Sequence, residues 1–192
     1  MTVLSPILSG ILALTVGDTG VAATPSPAAK AATSAGKAAP SAGKPATAPG
    51  PCSSPEHRQF DFWLGEWEVR EAGKVAGANR ITKILGGCAL REEWTGASGL
   101  TGTSLNVYDA PRRRWHQTWV DDKGNVLLLE GEWKSGRMVL EGEHPISAGK
   151  TTRERISWTP QSGGRVRQLW ESSTDSGKTW SVAFDGIYSP KP

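Results

Sequence analysis

Several polar side chains stand two positions from large apolar residues, the spacing that places side chains on one face of a β-strand. These are Asn79 beside Ile81, Glu92 between Leu90 and Trp94, Gln117 between Trp115 and Trp119, and Gln168 between Val166 and Trp170. If those faces point into a core, each unpaired amide or carboxyl costs about 1–3 kcal/mol. We therefore expect a hydrogen-bonded network, bound water or a ligand there. Asn106 and Arg155 are further candidates for this interior, although their strands alternate less regularly.

Tryptophan walls with a few converging polar groups suit a small amphipathic ligand, aromatic or sugar-like. Trp94, Trp119 and Trp170 would supply those walls. The pattern predicts a protein that binds a small molecule in its interior, with a self-satisfied polar core as an open alternative. An enzyme that uses Glu92 as acid or base is a second alternative, its pKa shifted by apolar surroundings. A third is a surface-interaction module that presents its tryptophans as an external platform.

The residue types that usually mark metal, nucleotide or nucleophilic chemistry are scattered. His57, His116 and His144 are isolated, without the spacing of a metal site. The sequence has no G-x-S-x-G elbow, no P-loop and no dinucleotide fingerprint. We therefore assign no catalytic residue and predict no metal.

The elements that must position these residues are short strands. Clusters of Gly, Pro, Asp and Ser recur about every ten residues after residue 65 and divide runs rich in Val, Ile, Leu, Thr and Trp, as in an antiparallel meander. The runs are roughly 65–70, 75–84, 88–95, 103–108, 114–120, 126–133, 137–143, 151–158, 165–173 and 179–188. In the last run one face collects Trp180, Val182, Phe184, Gly186 and Tyr188. Because about ten open strands would expose two edges, we predict an all-β, up-and-down barrel, with a sandwich as the alternative.

The region before the strands divides into a leader and a linker. Residues 4–16 are apolar but too short and interrupted for a membrane-spanning helix, and Val21–Ala23 offers small residues for cleavage. Residues 1–23 are therefore interpreted as a signal peptide, although residues 1–3 lack the usual Lys or Arg; an extension without function stays open. Residues 24–51 contain only Ala, Thr, Pro, Ser, Lys and Gly, which predicts a disordered linker. The folded domain is expected over 52–192, in the periplasm or secreted.

The charge and cysteine content constrain the partners and the compartment. Of the net charge of +3, three lysines and one aspartate in residues 1–51 contribute +2, so the domain is nearly neutral and we predict no nucleic-acid partner. Arg112–Arg114 is interpreted as a solvated turn, with an anion or nucleic-acid contact as the alternative. Cys52 and Cys88 permit one disulfide in an exported protein, which would pin the N-terminal segment to the barrel; two free thiols stay open.

The segment Phe-Asp-Phe-Trp-Leu-Gly-Glu-Trp at residues 60–67 has the pattern of a short helical plug before the first strand. Its Gly65-Glu66-Trp67 resembles the G-x-W at the start of lipocalins and related calycin barrels, where the tryptophan seals the closed end. The chain is also similar to an uncharacterised family of exported bacterial proteins, on segments 60–67, 86–94, 115–121 with Gly124, and 167–180. The resemblance implies a calycin-like barrel and no established activity.

Two further resemblances concern single features. Ser173–Trp180 fits S-x-D-x-G-x-T-W, the Asp-box of sialidases and other carbohydrate-active folds, which implies a structural hairpin turn, with sugar binding as the alternative. Some related small barrels hold ferric haem through one late histidine. The run 179–188 contains no histidine, which counts against haem, and His116 is the one histidine on a predicted strand that could be its ligand. We therefore predict no cofactor.

Overall fold

A computed structural model describes residues 50–147 and 149–191 of the chain. The predicted signal peptide, 1–23, and residues 24–49 of the predicted linker lie outside the described residues. None of the helices in the described part is long and apolar enough to cross a membrane.

The domain is a closed antiparallel barrel of ten strands, as the sequence predicts. Each strand pairs with its neighbour in the chain, and the first pairs with the last, so the sheet has no free edge. The strands are β1 (Gly65–Glu71), β2 (Lys74–Ile84), β3 (Ala89–Gly96), β4 (Thr101–Asp109), β5 (Arg114–Asp121), β6 (Val126–Lys134), β7 (Arg137–Ser147), β8 (Lys150–Pro160), β9 (Val166–Ser173) and β10 (Ser181–Pro190).

Turn chemistry sets the up-and-down order. Two hairpins have two-residue loops that are described in full, Ala72-Gly73 between β1 and β2 and Ser135-Gly136 between β6 and β7. All four of these residues have positive φ, the conformation of a type I′ turn whose twist matches that of the flanking strands. Glycine at the second position adopts that conformation without steric strain. Links this short can join only neighbouring antiparallel strands.

An aromatic plug closes one end of the barrel, as predicted. It consists of two short 3-10 helices, Pro55–Arg58 and Asp61–Trp63. Phe60 and Trp63 are fully buried, and their rings lie 4.9 Å apart; Phe60 also contacts Trp158 on β8 at 5.1 Å. Trp67 Nε1 donates to the Trp63 carbonyl at 3.0 Å, so the first strand is tied to the plug. Helices this short have little stability of their own, and their order comes from this packing.

Two cross-links fix the plug segment to the strands around it. Cys52 and Cys88 form a disulfide that joins the start of the described domain to the residue before β3. Lys83 Nζ, near the end of β2, lies 2.6 Å from Asp61 Oδ2 in the plug. Both links lie at the closed end, so the opposite end of the barrel is free of them.

The predicted alternation of the last strand is wrong over its first residues. A bulge shifts the register of β10 against β9 between Val182 and Phe184, and Val182 is 62% exposed. Trp180 lies outside the barrel, with the Arg155 guanidinium 4.0 Å from its ring centre. Phe184, Gly186 and Tyr188 keep the inward face. The extra residue of a bulge makes the side chains on one side of it point to the opposite face of the sheet from the one that simple alternation predicts.

Candidate ligand-binding site

A cavity of about 240 Å³ lies inside the barrel, between the plug and the opposite end. Its lining residues come from β3, β5, β6, β8, β9, β10 and the β3–β4 loop. They are Glu92, Trp94, Leu100, Gln117, Trp119, Leu127, Ile156, Trp158, Gln168, Trp170, Ala183, Phe184 and Tyr188. Six of these thirteen are aromatic, and Glu92 is the one charged residue type among them. A cavity of about 150 Å³ accommodates benzene, so this one has room for a substituted ring.

A chain of hydrogen bonds runs across the floor of the cavity. Tyr188 OH donates to Gln168 Oε1 and accepts from Asn79 Nδ2 at 3.4 Å. The same Asn79 nitrogen donates to Glu92 Oε1 at 2.7 Å. Ser104 Oγ donates to the other carboxyl oxygen, Glu92 Oε2, at 2.6 Å.

The chain continues from Ser104 along β4 and onto β5. Asn106 Nδ2 donates to Ser104 Oγ at 2.9 Å, and Gln117 Nε2 donates to Asn106 Oδ1 at 2.8 Å. Asn106, Ser104 and Gln117 are each at most 2% exposed. Of the three arrangements expected from alternation, a network, bound water or a ligand, the structure contains a network, which spans β9, β10, β2, β3, β4 and β5. We refer to its seven residues, Gln168, Tyr188, Asn79, Glu92, Ser104, Asn106 and Gln117, as the floor network.

Burial controls the ionisation of this network. Removal from water raises the pKa of the Glu92 carboxyl, and the hydrogen bonds from Ser104 and Asn79 oppose that rise. Burial, reinforced by the charge of Glu92, also raises the pKa of Tyr188 well above its ordinary value. No basic side chain contributes to either shift. The floor is thus polar, and its carboxyl favours the protonated form more than a carboxyl in water does.

The walls above the floor are aromatic rings laid over glycines. The Trp94 ring lies over Gly77, where an added Cβ would come within 2.8 Å of it. A Cβ on Gly102 would overlap the Trp119 ring in the same way. Glycine leaves the space these indoles occupy, and the rings in turn cover exposed backbone, a pairing that stabilises glycine-containing strands. Both tryptophans thereby have fixed positions at the cavity.

The third wall, Trp170, is held by a residue that the sequence analysis did not select. Its Nε1 donates to Glu154 Oε2 at 2.5 Å, and Thr152 Oγ1 donates to Glu154 Oε1 at 3.1 Å. Glu154 is 5% exposed and lies on β8, two residues from Ile156. That spacing is the same signal that identified Glu92, so the sequence contained the information. Ser104 and Tyr188 were also missed as floor residues.

Arg155 does not belong to this interior, and the prediction that it enters the barrel is wrong. Its neighbours on β8, Glu154 and Ile156, point inward, so alternation turns Arg155 outward. There its guanidinium Nη2 lies 2.9 Å from Glu171 Oε2, and it also covers Trp180. The other predicted residues occupy the cavity wall or the floor network. Asn79 and Asn106 belong to the network without lining the cavity.

One buried donor in the wall has no protein partner. Trp158 is 1% exposed and lines the cavity, and its Nε1 makes no hydrogen bond within the described residues. Asn79 Oδ1, on the amide that donates to Glu92, is likewise an unpaired acceptor there. Buried polar atoms are normally paired, so each is a place where a water or a ligand atom gains a hydrogen bond.

The histidine and the Asp-box considered in the sequence lie away from the cavity. His116 alternates with Trp115 and Gln117, and its Nε2 bonds Thr118 Oγ1 on the outer face. In the Asp-box, Asp175 accepts from Ser173 Oγ, Thr179 N and Thr179 Oγ1 at 2.6–2.9 Å. Those bonds, that from the Thr179 side chain above all, lower the pKa of Asp175 to about 2. The box is a hydrogen-bonded turn between β9 and β10.

Residues 50–147 and 149–191 contain no group of three or more His, Cys, Asp or Glu side chains that could hold a metal ion. No protein-family model matches the chain, and no curated protein matches it.

Proposed function

We propose that this protein is an exported binding protein that holds a small molecule in the barrel interior. The observation that carries the proposal is the cavity of about 240 Å³, with tryptophan walls above a hydrogen-bonded floor. Ligand sites typically combine apolar and aromatic walls with a few polar groups that fix orientation. The Cys52–Cys88 disulfide agrees with an oxidising compartment, in the periplasm or outside the cell. In this proposal the domain is a calycin-like barrel.

The alternative of a filled polar core is disfavoured by the distribution of polar groups. The floor network pairs its side chains across six strands and leaves Asn79 Oδ1 without a partner within the described residues. The space above it is not filled by those side chains, and it is lined by Trp158, whose Nε1 has no partner within the described residues. A purely structural core would close over such a space, because packing is worth more than a void.

The experiment that tests the proposal compares two neighbouring substitutions to tryptophan. Ala183 and Val182 are both exposed, but Ala183 lines the cavity and Val182 does not. We expect Ala183→Trp to occupy the entrance and abolish binding of N-phenyl-1-naphthylamine, a neutral fluorescent probe excited by transfer from tryptophan. Val182→Trp should bind the probe as the wild type does. Both variants should unfold near the wild-type temperature, so a difference in probe binding reports the cavity alone.

Two results would overturn the proposal: an absence of probe binding by the wild type, or equal binding by both variants. Native mass spectrometry of the protein purified without reductant from its own host's periplasm or medium then identifies the occupant. An extra mass lost on denaturation is expected for the wild type and should be missing from Ala183→Trp.

An enzyme is the second candidate, favoured by one observation. Glu92 is a buried carboxyl of raised pKa in a cavity wall, a situation typical of general acids. Both of its oxygens, however, are engaged by Asn79 and Ser104. If the mass spectrometry yields a ligand, turnover of that ligand by the wild type, abolished in Glu92→Gln with binding retained, would establish catalysis.

A surface platform of tryptophans fits the structure least. Each of the nine tryptophans is buried or only partly exposed. The large apolar side chains most exposed on neighbouring strands β4, β5 and β6 are aliphatic, among them Leu105, Val126 and Leu128. Iodide quenching should therefore reach few tryptophans.

A further inference from the structure

We propose that the occupant of the cavity is a small organic cation, an alkyl- or arylammonium compound, held between the tryptophan walls and the Glu92 carboxyl. This inference rests on the proposed binding function and specifies its ligand class. It is carried by the sign of the charge inside the barrel and by the arrangement of the aromatic rings.

The interior of the barrel contains acidic groups without basic counterparts. Among the described residues, the charged types that are buried are Glu92 and Glu154, and both lie on inward faces. None of the described arginines and lysines is buried, and those that form ion pairs do so at the surface, as Arg155 does with Glu171 and Arg167 with Asp185. A buried carboxyl normally has a cationic partner or stays protonated. The partner that Glu92 lacks in the protein is the charge we assign to the ligand.

The walls provide the second component of a cation site. Trp94, Trp119 and Trp170 line one cavity, together with Phe184 and Trp158. Tryptophan faces attract cations through the quadrupole of the ring, more strongly when the cation is desolvated. Alkylammonium groups are weakly hydrated and are recognised by such aromatic cages. The negatively polarised faces of the same rings would repel an anionic ligand.

Glu154 strengthens one of these faces. Its Oε2 accepts the Trp170 indole N–H at 2.5 Å, so the acidic residue holds the ring edge rather than the cavity itself. A hydrogen bond to a carboxyl polarises the indole and increases the electron density on its face. The rings that contact the ligand are therefore arranged for positive charge.

Glu92 is the acceptor that a polar cation meets in the cavity wall. An ammonium N–H donates to this carboxyl, and a quaternary group relies on the carboxyl and the aromatic rings. Asn79 lies behind the wall, where its amide nitrogen is bonded to Glu92 Oε1 and holds the carboxyl in place.

The test uses two probes of the same shape that differ in charge. Benzyltrimethylammonium carries a quaternary nitrogen where neopentylbenzene carries a quaternary carbon. Each competes against N-phenyl-1-naphthylamine in the full-length, oxidised protein. We expect the cation to displace this neutral probe at a concentration about tenfold lower, or more, than neopentylbenzene requires.

A pair of adjacent glutamates provides the matched variants. Glu92→Gln keeps the size and the hydrogen-bonding capacity of the side chain, and it should reduce the preference for the cation to about threefold or less while neopentylbenzene binds as before. Glu93→Gln is the control, because Glu93 is exposed on the outer face of β3 beside Arg91. It should leave the preference unchanged.

The outcomes separate the two proposals. If the naphthylamine binds but neopentylbenzene displaces it as well as the cation does, or if neither displaces it, the cation inference is overturned and the binding function stands. The inference also fails if Glu92→Gln keeps the full preference. If the wild type does not bind the naphthylamine, the binding function itself is overturned.

Discussion

Asn79 Nδ2 lies 2.7 Å from Glu92 Oε1, although the two residues are thirteen positions apart and do not face each other in the ladder. The register pairs Asn79 with Trp94 and Ile81 with Glu92, so the contact is a diagonal one across β2 and β3 on the inward face. Asn79 also reaches Tyr188 on β10, because closure of the barrel brings that strand beside β1. The carboxyl therefore sits in a site assembled by both the hairpin and the closure.

The pH dependence of stability should reveal the buried carboxyl. The pKa of Glu92 is raised in the folded state, so the folded protein retains a proton that the unfolded chain releases. Its contribution is fully present below the ordinary value of 4.5 and is lost as pH rises from there toward the folded pKa. Glu92→Gln cannot lose that proton. Within that pH window, the free energy of unfolding of Glu92→Gln minus that of the wild type should increase by up to about 1.4 kcal/mol per pH unit.

Urea unfolding at one-unit steps from pH 4 to pH 8 measures that difference. Glu93→Gln serves again as the control and should follow the wild type throughout. Groups with lowered pKa values, such as Glu130 and Asp175 at about 2, titrate in all three proteins and cancel in the comparison. A constant difference between Glu92→Gln and the wild type would show that Glu92 ionises as it does in water.

The centre of the floor network should be costly to remove. Ser104→Ala deletes the hydroxyl that donates to Glu92 Oε2 and accepts from Asn106 Nδ2, and it leaves both atoms unpaired in the core. We expect a loss of about 1–3 kcal/mol in the free energy of unfolding. Thr95→Ala, at an exposed position on β3, should cost less than about 0.5 kcal/mol. A similar small loss for Ser104→Ala would mean that the network does not hold the floor.

The glycine beneath Trp119 should control the shape of the cavity. An alanine at 102 places a methyl group within the indole, so Trp119 must move or β4 must shift. We expect Gly102→Ala to cost about 1–3 kcal/mol and to weaken binding of the neutral probe. Combining it with Trp119→Phe removes the overlapping part of the ring. The double variant should therefore be more stable than the sum of the single effects, as unfolding free energies in a mutant cycle measure. Additive effects would show that ring and glycine do not interact.

The parts of the site that could be predicted from the sequence are those that depend on alternation within one strand. Glu92, Gln117 and Gln168 were found because large apolar neighbours fix the inward phase of their strands. The same rule applied to Ile156 and Trp158 indicates Glu154 and excludes Arg155, which was selected although it was out of phase. Trp180 was misplaced because a bulge leaves no mark in the local pattern.

The parts that could not be predicted depend on closure. The contact between Asn79 and Tyr188 joins residues 109 positions apart, and it exists because β1 pairs with β10. A repeating pattern indicates how many strands there are, but not the stagger between the first and the last. The stagger decides which inward residues meet across the seam. The volume of the cavity depends on these contacts between β1 and β10, so it could not be predicted from the sequence either.

The disulfide should be a major source of stability for the closed end. Cys52 and Cys88 are separated by 36 positions, and linking them restricts the unfolded chain by about 3–4 kcal/mol in the chain-entropy description. We expect the double variant Cys52→Ala/Cys88→Ala to lose about that much in urea unfolding, and the oxidised wild type to lose a similar amount on reduction. The ion pair between Lys83 and Asp61 remains in the variant, so the plug should stay folded under native conditions. Tryptophan emission before unfolding should therefore be unchanged. A loss below about 1 kcal/mol would indicate that the unfolded chain already holds the plug segment near β3.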